Sequence, residues 1–264
     1  MASSNDPHLR QLVLLLCFLA AGGWRMSGRL AAASEPGPIN LAQVQELAVR
    51  LHQNLPPAAR AKVNPAVVVG DPSVWPVLRP SEMEGGHVFV SAKAIDLIDR
   101  IARAKAIDSV KKGYLAGYIG RVAGTDPTTP WPALPDNQNP RYASLDVENE
   151  HVSNFNQIMG GLLAVAVAQI HLGLVGIHPT GLSVDGRPVP INHLLSDKEW
   201  KSAFESGIKL AVACAYTTEG LGEFFLALDR MKPSPPWVEM FIPTRSSGSS
   251  LAKIVAAIQR QMFR

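Results

Sequence analysis

The most informative hydrophobic pattern lies between Asn154 and His178, where no charged residue interrupts the chain from Ile158 to Ile177. Length alone would allow a membrane span, which needs roughly 20 apolar residues. Gln169, His171 and several glycines break the run, and neither a Lys/Arg cluster nor an aromatic belt flanks it. A helix apolar all round that lacks membrane anchors belongs in a protein core. The pattern therefore predicts a buried central helix in a soluble domain.

Other elements follow from periodicity and punctuation. The segment LAQVQELAVRLHQNL, capped near Asn40 and stopped by Pro56-Pro57, repeats its apolar positions at helical spacing. Ala66–Val69 reads as a short buried strand, and a proline-rich loop with Trp75 follows. Gly85-Gly86 leads a second strand, HVFVS, into a strongly periodic helix that runs to Ala123 and that Gly113 is placed to divide. Thr125–Tyr142 is proline-dense and too long for a mere connector, which makes it a candidate lid or binding loop. Asp185-Gly186 suggests a turn or small hairpin. Ser196 with Glu199 forms a capping box for the next helix. Helices are also expected near Glu219–Met231 and over Leu251–Phe263. Together these predict a mainly helical α+β domain, with a buried central helix and a small sheet, over residues 34–264.

The first 33 residues have a different character. Leu12–Ala21 has the length of a signal h-region, Arg10 supplies a weak positive flank, and Ala31-Ala32-Ala33 offers small residues for cleavage before Ser34. Cleavage implies a periplasmic or secreted protein. Asp6, Arg25 and Arg29 fit a signal peptide poorly, so the alternative is an uncleaved anchor touching the membrane through residues 12–21. After cleavage only Cys214 remains, which excludes an internal disulfide and reads as a small core residue. A formal charge of +3 and no basic run longer than Lys111-Lys112 argue against a nucleic-acid partner.

The order of elements also carries a resemblance. GGHVFVS, a helix, a buried apolar helix, a helix ending in Ala215-Tyr216, TTEGLGEFFLALDRM and Phe241-Ile242-Pro243-Thr244 together are similar to the zinc peptidases of the HtpX and CAAX-prenyl-protease kind, from about Glu84 to the C-terminus. The resemblance implies a zincin-like fold in which the glycine-led strand is the edge that pairs with substrate. It also implies a central helix carrying H-E-x-x-H and a later helix giving a glutamate ligand within E-x-x-x-D. Histidines at i and i+4 share a helix face and hold Zn²⁺, and the intervening glutamate serves as general base toward bound water.

This chain departs from that pattern at each catalytic position. With His171 as the second histidine, the first falls on Val167 and the glutamate on Ala168; counting back from Ala215-Tyr216, the third ligand falls near Trp200 and its aspartate near Phe204, with Glu199 and Glu205 one residue away. Thr244-Arg245-Ser246 stands where the family has Thr-His-Pro. Valine and alanine neither ligate zinc nor move protons. The resemblance thus implies a peptidase-like scaffold without its chemistry and without a cofactor, a pseudoenzyme that binds a peptide or protein.

Two alternatives stay open. His171 and His178 share a face of an uninterrupted helix but stand about 10.5 Å apart along it, so one zinc between them would need a kink near Gly173 or Gly176 and further ligands from Glu150, His151 or His193. That arrangement would make a metal-dependent peptidase; otherwise His171 is a satisfied core histidine and His178 caps the helix end. The third reading is a structural envelope protein tethered by its N-terminal segment. For a binding protein, Glu150, Asn154 and Gln157 form a polar stripe that leads to Gly161, and they are the groove candidates for an extended peptide. The structural alternative has Asn154 and Gln157 bonding the backbone of the proline-rich loop or of the Gly85-Gly86 strand.

Overall fold

A computed structural model describes residues 41–63, 68–81, 86–136, 138–175, 183–184, 187–190, 195–243 and 245–264. The signal or anchor segment, His178 and His193 lie outside the described residues. The described chain is mainly helical with a small mixed sheet. Helix α1 (Leu41–Gln53) and the single turn α2 (Pro57–Arg60) precede β1 (Val68–Asp71), β2 (Leu78–Ser81) and β3 (His87–Ser91). Then come α3 (Ala92–Asp108), α4 (Tyr114–Ala123), α5 (Leu145–His171), the two-residue strands β4 (Ser183–Val184) and β5 (Arg187–Pro188), α6 (Asp197–Ala213), α7 (Glu219–Asp229) and α8 (Gly248–Met262).

Helix α5 is the axis. It starts earlier than the apolar run because Ser144 accepts a hydrogen bond from Val147 N, and Asp146 and Glu148 lie in the first turn, where carboxylates are favoured. It ends at His171 because Gly173 turns left-handed (φ 70°), with Gly173 N donating to Ile170 O and Leu174 N to Gln169 O. These two bonds are a Schellman stop. The helix therefore ends at His171 and does not continue through Gly173 toward His178, which is outside the described residues. From Ile158 to Ile170 every residue is buried, as a core helix requires. No helix among the described residues is long and apolar enough to cross a membrane.

The sheet order is β1-β3-β2, with β1 parallel and β2 antiparallel to β3. The glycine-led strand β3 is therefore the centre of the sheet, not its edge, which corrects the expectation from the resemblance. The two edges are β1 and β2, the latter hidden in the proline-rich stretch. Ser91 N donates to Val77 O, so by antiparallel alternation Arg79 and Phe89 form a hydrogen-bonded pair and Leu78 N–H, Leu78 C=O and Pro80 C=O point away from β3. Proline is tolerated at such a position because its missing N–H would face outward.

Helix α6 lies closely against α5. A Cβ on Gly207 would sit 2.5 Å from Val165 Cα, so the contact requires glycine. The capping box at Ser196 and Glu199 is present, and Gly113 separates α3 from α4 as expected. Segment 125–142, the expected lid or binding loop, is anchored to the helices through its middle. Trp131 is buried, its Nε1 donates to Lys93 O at 3.0 Å, and Tyr118 Oη donates to Pro132 O at 3.0 Å. These bonds tie the segment to α3 and α4.

Candidate functional site

The face of α5 that carries Leu162, Val165, Ala166 and Gln169 follows the i, i+3, i+4, i+7 rule and forms the floor of a cavity of about 50 Å³. Trp200 and Phe204, one turn apart on α6, make a second wall; their rings lie 5.7 Å apart, and Phe204 continues to Phe225 at 5.9 Å. Edge strand β2 makes the third wall through Leu78, Arg79 and Pro80, and Pro188–Pro190 lies opposite. Val167, Ala168 and His171 are not in the lining.

Two polar side chains in the lining keep an unpartnered buried atom, Gln169 Oε1 and Arg79 Nε. Gln169 is only 3% exposed, and its Oε1 has no hydrogen-bond partner. Arg79 also borders the cavity, but its charge is already used: Nη2 lies 2.7 Å from Asp71 Oδ2, and the guanidinium sits over the Phe89 ring at 5.6 Å. The space is therefore largely apolar, with one aromatic wall.

The histidine candidates lie elsewhere. His171 Nε2 is 3.4 Å from Ser206 Oγ, and burial pushes its pKa below the ordinary value of 6.5. His151 stands twenty positions earlier on the same helix, roughly 30 Å away along its axis. Neither it nor Glu150 can complete a metal shell with His171. Among the described residues, no three His, Cys, Asp or Glu side chains are grouped so as to hold a metal ion.

The polar half of α5 serves the fold. Gln157 Oε1 accepts from Gly220 N at 2.7 Å, satisfying an amide in the first turn of α7, and Gln157 Nε2 donates to Ser153 Oγ at 3.0 Å. Asn154 is buried beside Gly220, with its Nδ2 unpartnered. Glu150 is half-buried. The stripe thus meets α7, not the proline-rich loop or the glycine-led strand, and none of its three groove candidates lines the cavity beside β2. Sequence reasoning missed a neighbouring cluster: His151 Nε2 lies 2.6 Å from Asp99 Oδ1 on α3, Glu148 pairs with Arg103, and Arg103 donates to Tyr142 O at 2.6 Å. Its sequence signal was available in the helical spacings 99/103 and 148/151. Gln169 also had a signal, as the one amide within the apolar run.

No protein-family model matches the chain, and neither a curated protein nor a solved structure matches it.

Proposed function

We propose that the chain is an exported, zincin-like pseudoenzyme that binds an extended peptide or protein segment along the outer edge of β2. The observation that carries this reading is the chemistry of the cavity beside that edge. The resembled peptidases place H-E-x-x-H on one helix and E-x-x-x-D on the next. On α5 and α6, the cavity-lining positions with those spacings are Val165, Ala166 and Gln169, then Trp200 and Phe204. On this register the family's second histidine corresponds to Gln169, two residues before His171. Valine, alanine, tryptophan and phenylalanine offer zinc no ligand and a substrate water no base.

The unpaired backbone groups of Leu78 and Pro80 support a binding role, because strand addition gives affinity through main-chain hydrogen bonds and selectivity through pockets for alternate side chains. Export rests on the apolar run at residues 12–21 and places the protein in the periplasm or outside the cell, or on the membrane if the segment stays attached.

The test combines elemental analysis of the full-length protein with binding of labelled extended peptides. Peptide binding that weakens when Leu78 is replaced by proline, with no stoichiometric zinc, is the expected result. One equivalent of zinc that is lost in the His171→Ala, His178→Ala double variant, together with peptide hydrolysis, would replace this reading with a metal-dependent peptidase. Absence of peptide binding in a chain that fractionates with membranes and keeps its N-terminus would point to a tethered structural protein.

A further inference from the structure

Gln169 is an anomaly in energetic terms. A buried acceptor without a donor carries a desolvation cost that apolar replacement would remove, and this one lies in the cavity wall with nothing in the fold reaching it. Three facts describe what would satisfy it. At about 50 Å³, the cavity has room for roughly three or four water-sized atoms. Its other walls are apolar or aromatic apart from Arg79, whose Nη2 is paired with Asp71 while its Nε has no hydrogen-bond partner, so a hydroxyl, both donor and acceptor, suits the lining. It also opens beside a strand edge whose free groups sit on Leu78 and Pro80, and in an added strand every second side chain would face the same side.

We infer that the cavity is a side-chain pocket selective for a small residue bearing a hydrogen-bond donor, threonine above all, in an extended segment added to β2. The inference rests on the peptide-binding reading and supplies its specificity. The threonine hydroxyl donates to Gln169 Oε1, and its methyl group packs against the aromatic wall. Valine has the same shape and leaves the acceptor unpaired. Phenylalanine exceeds the space. A cationic guest finds no counter-charge, since no carboxylate is in the lining.

The test uses the full-length protein and fluorescence anisotropy with a short capped host peptide, in which valine alternates with a guest residue and a lysine closes each end. Guests are threonine, valine and phenylalanine. The threonine peptide is expected to bind roughly 10- to 100-fold more tightly than the valine peptide, and the phenylalanine peptide more weakly than either. In Gln169→Leu the threonine preference disappears while the melting temperature rises, since an unpaired amide has gone; Gln169→Met provides the same comparison with an unbranched side chain. Equal binding of threonine and valine, or a threonine preference that survives both substitutions, overturns the inference while leaving strand addition standing. A fall in melting temperature in both variants also overturns it, because the amide would then be bonded within the fold. If no guest binds, the peptide-binding reading itself fails.

Discussion

The two halves of α5 place polar groups in opposite settings. In the N-terminal half, Glu148, His151 and Gln157 are engaged by α3 and by the first turn of α7, although Asn154 Nδ2 beside them has no partner and faces only a pocket of about 10 Å³. In the C-terminal half, a single amide, Gln169, faces a cavity with no partner. The richer polar pattern is thus the structural one, while the poorer pattern borders the space a ligand would use. A polar side chain becomes a candidate for function when the fold leaves it unsatisfied, not because it is polar.

The strongest way to break the contrast is to disturb the cavity floor. Gly207→Ala forces a Cβ to within 2.5 Å of Val165 Cα and is expected to cost about 3 kcal/mol by overpacking, read as a fall in the urea midpoint at constant slope; a neutral result would show that α5 and α6 separate freely. Next, His151→Ala leaves Asp99 without its partner between α3 and α5. It should cost about 2 kcal/mol, below the value for a fully buried pair because both groups retain some exposure to water.

The sharpest comparison sets one amide against the other. Gln157→Leu orphans Gly220 N and should destabilise by about 1 kcal/mol, whereas Gln169→Leu should stabilise by about 1 kcal/mol. Equal signs in thermal unfolding would erase the distinction between the halves. The smallest effect is a pH dependence at the end of α5. Burial lowers the pKa of His171 in the folded chain, so below pH 6.5 the unfolded chain binds the proton more readily and stability falls as pH drops toward the folded value. In His171→Gln this part of the acid dependence should vanish from the pH profile of the melting temperature.

Local signals predicted local structure well. Ser196 with Glu199, the break at Gly113 and the helical spacing of Val44, Leu47, Ala48 and Leu51 are all realised in the fold. Strand β2 was not legible, because Pro80 and the surrounding prolines mask a strand whose ladder needs no outward N–H. The ends of α5 were misjudged for a related reason: hydrophobicity tracks burial, and the helix begins in water at Ser144 and stops at a glycine inside the apolar run. The candidate site was legible only in part. Trp200 and Phe204 were noted as replacements for acids by counting back from Ala215-Tyr216, but the central-helix positions were set on a register tied to His171, which faces Ser206 and not the cavity.

Composition, capping residues and periodicity therefore specify a mainly helical α+β chain with one deeply buried helix, because each depends on contacts within a few residues. Which face of that helix meets empty space, which strand is central in the sheet and which amide is left without a donor depend on residues far apart in the chain. Gln157 and Gln169 are the same side chain on the same helix. One meets Gly220 N sixty-three positions away and the other meets nothing, a difference set by how α6, α7 and β2 pack around α5.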